Sequence, residues 1–363
     1  MALKSRHASP IYTLFDDFLT ALLAVAWADK KAQSEDIVPY VHRCEKTDVI
    51  VICYAQQVQY RKKWCCMSID NKSLAQFTPN TSNLHVGLIG DPVAHSYSPR
   101  FQQAAFDALG IPACYELWHT PAYELLGRVR SLCNPGYLGA NVTIPHKEAV
   151  LSLVDKIDPL ATLIGAVNTI VHHDGYLYGY NTDAPGLLYA LHEYGLGTKQ
   201  DDGTISLKDY TVVLLGAGGA ARGAAFALAG AHVAQLIIVN RHLERAQQLM
   251  AQVQQTYNGP VFSLDDPQFL VPRASTIIIN ATSLGMHEDS SPLPAEVLAR
   301  FDSDTFVYDM IYNPIQTHLL CQARTMGLYG ANGLSMLLHQ GALAFTLWTG
   351  KPAPLDVMRA SLL

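Results

Sequence analysis

From residue 85 onward, short apolar runs of strand composition alternate with stretches whose apolar residues recur at helical spacing. Residues 85–89, 113–118, 137–142, 167–172 and 176–180 predict strands. The last two are joined by His173-Asp174-Gly175, a plausible hairpin turn. Residues 99–109 and 122–132 predict helices, with Pro99 suited to a first turn. A further helix is expected to start at Pro145, and residues 183–194 predict a crossover helix into the second half. There, strands over 211–215 and 235–240 bracket an alanine-rich helix. Strands over 276–280 and 305–309 follow, and a final helix spans 333–348. This rhythm implies an α/β fold with a parallel sheet covered on both faces.

Ahead of residue 84 the pattern is weaker. Residues 11–28 suit a helix, 49–54 form a short apolar run of strand character, 60–66 are basic and aromatic, and 71–83 read as a polar linker. None of them carries recognisable chemistry, and the working chain is expected to start at Met67, with the upstream residues an extension.

Length and composition narrow the classes. A chain of 363 residues allows two domains. The formal net charge is −6 and no basic stripe occurs, so nucleic acid is excluded as the expected partner. No apolar run is long enough to span a bilayer. Residues 18–28 mimic the apolar core of a signal peptide, but Asp16 and Asp17 interrupt its start, and a cytoplasmic location is expected. The seven cysteines (Cys44, Cys53, Cys65, Cys66, Cys114, Cys133 and Cys321) include no C-x-x-C pair, which argues for a reducing compartment. Those in the N-terminal stretch, even with His42, fit no zinc spacing, and no metal is expected.

Candidate chemistry begins with Gly216-Ala217-Gly218-Gly219-Ala220-Ala221, which follows the apolar run Val212-Val213-Leu214-Leu215. This is the G-x-G-x-x-G/A form between a strand and a helix. Gly216 permits a tight turn, and Gly218 and Gly219 let backbone N–H groups approach a pyrophosphate at the helix start. The second strand ends at Asn240-Arg241-His242 rather than at an acidic residue. An acidic residue there would hold the ribose 2′-hydroxyl of NAD, whereas Arg241, with Arg245 one turn on, suits the 2′-phosphate of NADP. NADP is therefore the expected cofactor, with NAD possible.

Lys147 closes Gly139-Ala140-Asn141-Val142-Thr143-Ile144-Pro145-His146-Lys147, and Asp183 closes Gly179-Tyr180-Asn181-Thr182-Asp183. An ammonium and a carboxylate among small polar residues, ahead of a dinucleotide fold, are what a ketone reductase needs. Hydride arriving at a carbonyl carbon leaves charge on its oxygen, which a neighbouring group must protonate or bind. Ser96 and Ser98, two apart in His95-Ser96-Tyr97-Ser98-Pro99, can face one way and form a receptor for a carboxylate at a helix start. Ser98 and Asp183 each have a plainer alternative as a helix N-cap.

With these motifs in view, residues 84–363 resemble the shikimate dehydrogenase family; the first eighty or so residues do not. The resemblance implies an N-terminal α/β substrate domain with a mixed sheet, discontinuous and completed by the C-terminal helix, plus a Rossmann-type NADP-binding domain. The expected division is 1–83 as an extension, 84–182 with 333–363 as the substrate domain, and 183–332 as the Rossmann domain. It implies NADPH-dependent reduction of 3-dehydroshikimate to shikimate, a step of aromatic amino-acid and chorismate biosynthesis, with Lys147 and Asp183 as the catalytic pair. Ser96 and Ser98 would bind the substrate carboxylate. Asn141, Thr143, Asn168, Asp183, Tyr312 and Gln340 would also meet the substrate. Gly216, Ala217, Gly218, Gly219, Ala220, Asn240, Arg241, His242, Arg245, Thr282, Met310 and Gly333 would line the cofactor. His242 replaces the threonine usual in the family. Gln102-Gln103 departs from the His-Asn of shikimate-specific members, which keeps a quinate/shikimate dehydrogenase using NAD(H) as the alternative. A nucleotide-binding regulator without catalysis is the rival from another class. Monomer and homodimer are both open.

Overall fold

The computed structural model describes residues 40–43, 49–58, 61–70, 84–287 and 290–362. The expected helix over 11–28 with its signal-like run, Cys44, and the linker over 71–83 lie outside the described residues. The chain divides into two compact units, Met1–Gln76 and Phe77–Leu363. In the first, β1 (Tyr40–Arg43), β2 (Val49–Val58) and β3 (Arg61–Asp70) form an antiparallel sheet in the order β1-β2-β3.

The second unit holds two six-stranded sheets. Its chain begins with β4 (Leu84–Gly90), α1 (Ser98–Ala108), β5 (Ala113–His119), α2 (Leu125–Ser131) and β6 (Tyr137–Val142). β7 (Lys156–Ile157), α3 (Pro159–Ile164), β8 (Thr169–His173), β9 (Tyr176–Tyr180) and α4 (Asp183–Glu193) follow. The first sheet has the order β5-β4-β6-β8-β9-β7 and is mixed: β4 runs parallel to β5 and β6, whereas β8 is antiparallel to both β6 and β9. The β8–β9 connection is the two-residue turn Asp174-Gly175, both at positive φ (51° and 80°), as a type I′ turn requires.

After the short hairpin β10 (Thr198–Lys199) and β11 (Ile205–Ser206) come β12 (Thr211–Leu215), α5 (Gly219–Gly230), β13 (Gln235–Val239), α6 (Leu243–Gln254) and β14 (Val261–Leu264). β15 (Thr276–Asn280), α7 (Ala295–Leu298), β16 (Phe306–Asp309), α8 (His318–Thr325) and β17 (Tyr329–Ala331) complete the second sheet, and α9 (Leu334–Thr349) and α10 (Leu355–Ala360) end the chain. The order β14-β13-β12-β15-β16-β17 is parallel throughout. It reverses direction beside β12, which places a ligand crevice at the carboxyl ends of β12 and β15.

Period-two burial builds both cores. Val212 and Leu214 of β12 enter the core on one face with Ile277 and Ile279, while Val213 and Leu215 enter the opposite one with Ile278. Each such side chain contributes about 1.5–3 kcal/mol when fully buried. In the first sheet, Val86 and Leu88 face the core shared with α1 and α9, and Ile89 faces the other. The last long helix returns to the first sheet: Leu338, Phe345 and Trp348 pack with Phe101 and Phe106. Gly186 of α4 and Gly341 of α9 make this possible. A Cβ at Gly186 would lie 2.8 Å from Gln340 Cβ, and one at Gly341 would lie 2.2 Å from the Phe101 ring.

The expected strands recur within a residue or two, as do the helices at 99–109, 183–194 and 333–348. One expectation fails at the point that matters. No helix starts at Pro145; residues 144–148 form turns, and a short 3₁₀ segment spans Ala149–Leu153. Tertiary bonds claim the backbone instead. Val167 N–H donates to the Lys147 carbonyl at 2.8 Å, and the buried His146 ring reaches Thr120 O at 2.6 Å. The predicted helix at 122 also opens as a 3₁₀ turn, Ala122–Glu124. The patterning left β7, β10, β11, β14 and β17 unread, all two to four residues long. Among the described residues, no helix is long and apolar enough to cross a membrane.

Candidate active site

The loop between β12 and α5 is built from backbone and open space. Gly216 has φ +110° and is buried; a Cβ there would sit 3.1 Å from Thr282 Cγ2 and 3.2 Å from Ala281 O. Gly218, Gly219 and Ala220 are exposed, and a Cβ on either glycine would meet nothing within 4 Å. Gly218 is the N-cap of α5, and its helix start carries no side-chain cap. N–H groups without a side-chain cap, at the positive end of a twelve-residue helix whose first glycines have open space at their Cβ positions, fit a pyrophosphate. Beyond β13, Arg241, His242 and Arg245 are exposed, and the half-buried Asn240 donates from Nδ2 to His242 O at 2.9 Å, which shapes the turn into α6. The residues present therefore fit a dinucleotide.

Lys147 and Asp183 meet. Lys147 Nζ lies 2.6 Å from Asp183 Oδ2, with side chains 31% and 24% exposed. Both come from loops at one end of the first sheet, after β6 and after β9. Asp183 is the first residue of α4; Thr182 holds the cap position, and Asn181 Oδ1 accepts from Ala184 N–H at 3.2 Å. The carboxylate is thus committed to the lysine and not to capping.

Beside this pair runs a web of buried amides and hydroxyls. Ser98 does not cap α1, whose N-cap is Tyr97. Instead Ser96 Oγ donates to Ser98 Oγ at 3.1 Å and accepts from Ser98 N–H at 3.2 Å. Asn141 Oδ1 accepts from the Tyr115 hydroxyl at 2.8 Å, while its Nδ2 donates to Thr169 Oγ1 at 3.2 Å and Asn168 O at 3.3 Å. Asn168 Oδ1 accepts from Thr182 N–H at 2.7 Å, and its Nδ2 donates to Thr182 Oγ1 at 3.0 Å and approaches Gln340 Oε1 at 3.4 Å. Gln340 Nε2 donates to Leu337 O of its own helix at 2.9 Å, while its Oε1 faces the web.

Between the two sheets lies a cavity of about 660 Å³ whose lining includes Ser96, Thr143, Met310 and Tyr312. Lys147, Asp183, Asn141, Asn168 and Gln340 are not part of that lining. The Tyr97 and Tyr312 rings, 5.5 Å apart, join the serine loop to the segment after β16, and burial raises the pKa of the Tyr312 phenol. Gly333 N–H donates to Ile311 O at 3.0 Å, and a Cβ at Gly333 would lie 2.1 Å from Met310 O, so only glycine fits where α9 starts. Thr282 Oγ1 donates to Asn280 Oδ1 at 2.7 Å and holds its loop beside Gly216.

Three side chains that organise these loops escaped the sequence reading. Asp309 is fully buried at the end of β16. It accepts from Asn280 Nδ2 at 2.9 Å, Ile311 N–H at 3.1 Å and Thr317 Oγ1 at 2.7 Å. Burial pushes its carboxyl above the ordinary range, and the three donors only partly offset this. Thr317 and Tyr115 are the other two. An acidic residue closing an apolar strand was the available signal for Asp309; nothing local marks Tyr115.

Comparison with known proteins agrees with the geometry. Residues 88–170 match the family described as the shikimate dehydrogenase substrate binding domain, 198–287 the shikimate / quinate 5-dehydrogenase family, and 333–363 the shikimate 5′-dehydrogenase C-terminal domain. Shikimate dehydrogenase (NADP(+)) from Symbiobacterium thermophilum is 42% identical over 282 residues, which cover 77% of this chain and 93% of that one. Its counterpart from Methanopyrus kandleri is 41% identical over 285 residues, 77% of this chain and 94% of that one. Among solved structures, shikimate 5-dehydrogenase from Thermus thermophilus in complex with NADP(H) and shikimate aligns with a TM-score of 0.67 at 37% identity. That alignment covers 77% of this chain and 98% of the other.

Proposed function

The chain belongs to the shikimate dehydrogenase family, and from that premise we propose that it catalyses the reversible NADPH-dependent reduction of 3-dehydroshikimate to shikimate in aromatic amino-acid biosynthesis. The observation that carries this reading is the 2.6 Å Lys147–Asp183 contact in a chain of this family. Residues 84–182 with 333–363 form the substrate domain and residues 183–332 the nucleotide domain in this reading.

Bound NADPH supplies the hydride. The chain's own residues manage the proton and the geometry. Lys147 Nζ delivers a proton to the substrate oxygen as the carbonyl carbon is reduced, and takes it back in the reverse direction. Asp183 Oδ2 holds that ammonium in place and orients its remaining N–H bonds. Ser96 and Ser98 receive the substrate carboxylate. Asn141, Thr143, Asn168, Tyr312 and Gln340 fix the ring, which turns a bimolecular encounter into an oriented one. Gly216, Ala217, Gly218, Gly219 and Ala220 cradle the pyrophosphate. Asn240, Arg241, His242 and Arg245 select the 2′-phosphate, and Thr282, Met310 and Gly333 support the nicotinamide end.

Steady-state oxidation of shikimate and quinate with NADP and with NAD tests this. Shikimate with NADP is expected to give the highest kcat/KM. A preference for quinate with NAD would contradict it.

A further inference from the structure

We propose that Tyr115, on β5, is a positioning residue that holds the Asn141 carboxamide, and through it the polar web around β6 and β8, in place for the substrate. The proposal rests on the functional reading above and adds a residue to it.

The argument is one of donor counting. The Tyr115 hydroxyl donates to Asn141 Oδ1 at 2.8 Å. That oxygen can only accept, so the single phenol proton is committed to it. The chain runs on from Asn141 Nδ2 to Thr169 Oγ1 at 3.2 Å and from Thr169 Oγ1 to Asn168 Oδ1 at 3.1 Å. A carboxamide is nearly symmetric in shape, and only its partners decide which end is oxygen. The Asn168 carbonyl, which only accepts, fixes the Nδ2 end of Asn141, and the Tyr115 hydroxyl holds the Oδ1 end.

The phenol is well placed for this and for nothing more direct. It is 7% exposed, packs 6.2 Å from the Trp348 ring, and is not part of the cavity lining. It therefore acts through Asn141 rather than on reacting atoms. Burial pushes its pKa far up, so it remains a donor across the working pH range.

Tyr115→Phe removes the hydroxyl and keeps the ring. KM for shikimate is expected to rise about tenfold, the scale of one buried hydrogen bond. The kcat and the dissociation constant for NADP should stay close to wild type, and melting should fall by no more than the few degrees one buried hydrogen bond accounts for. In an Asn141→Ala background the same substitution should add almost nothing, because its effect runs through that amide. An unchanged KM for shikimate, full additivity with Asn141→Ala, or a parallel loss of NADP binding and folding would each overturn the proposal. Wild-type turnover of shikimate is the control. If it is absent, the functional reading itself falls, and the role of Tyr115 with it; if it is present, failure of Tyr115→Phe to shift KM rejects Tyr115 alone.

Discussion

The two ends of the site are made of different materials. The nucleotide end, between β12 and α5, is backbone and vacant space: exposed glycines and an uncapped helix start. The substrate end, along β4, β6 and β9, is side chain meeting side chain: an ion pair at 2.6 Å and buried amides bonded to one another. A pyrophosphate needs N–H groups that any residue supplies, provided nothing blocks them. A small polar ring needs particular donors held in particular directions. Tolerance to mutation should differ accordingly, and four substitutions probe that difference.

The largest effect belongs to the substrate end. Asp183→Asn keeps the size of the side chain and removes the charge facing Lys147. It should lower kcat by about 10²–10³-fold, within the range of a positioned acid–base group, with NADP binding preserved. Equilibrium cofactor titration beside steady-state kinetics would separate the two.

The glycine loop provides the next contrast, because two of its glycines do opposite things. Gly218→Val adds a side chain where nothing lies within 4 Å and φ is an ordinary −87°, so the fold should hold while NADP affinity collapses by more than about 100-fold. Gly216→Ala places a Cβ at φ +110° against Thr282 and Ala281, and should instead cost about 1–3 kcal/mol of stability. Thermal melting with and without NADP distinguishes the variants. Equal destabilisation by both would erase the division between fold glycine and ligand glycine.

A milder test concerns cofactor choice. Arg241→Ala should raise KM for NADP about tenfold and leave KM for NAD nearly unchanged, as the proposed pairing of this exposed guanidinium with the 2′-phosphate requires. Equal losses for both cofactors would place Arg241 elsewhere in the site.

The smallest effect lies outside both ends. Glu193 of α4 accepts from Arg359 at 2.7 and 2.9 Å and from His339 at 2.7 Å, tying α4 to α9 and α10. Burial pushes the Glu193 carboxyl up, but the bonds from Arg359 and His339 outweigh it and hold it below the ordinary carboxylate range. Burial also lowers His339 more than Glu193 lifts it, so near neutral pH the imidazole donates as a neutral ring. A depressed carboxyl contributes stability that is present above its unfolded value and lost as pH falls through the folded one. Glu193→Gln should therefore be less stable than wild type by under about 1 kcal/mol at neutral pH, with the gap closing in acid unfolding curves as pH falls through the depressed folded-state pKa of Glu193.

The same contrast explains what the chain's pattern disclosed. Backbone recognition leaves a local signature, and Gly216-Ala217-Gly218-Gly219 could be read in one window along with the parallel strands that flank it. Lys147 and Asp183 stand far apart in sequence, and the needs of a ketone reductase together with the family resemblance joined them; their side chains lie 2.6 Å apart. The turn around Lys147 was misread as a helix because Val167 N–H and Thr120 O, distant in sequence, decide its bonding. Tyr115 and Asp309 escaped for the same reason: a tyrosine on a strand and an acid at a strand end acquire meaning only from partners on other elements. The short edge strands β7, β14 and β17 are too brief for alternation to register.

The most direct test of the central claim is Lys147→Ala measured for shikimate oxidation with NADP, alongside its NADP dissociation constant. A fall in kcat of about 10³-fold or more with cofactor affinity intact is the predicted result. Turnover at the wild-type rate would contradict it, and with it the reductase chemistry assigned to the pair.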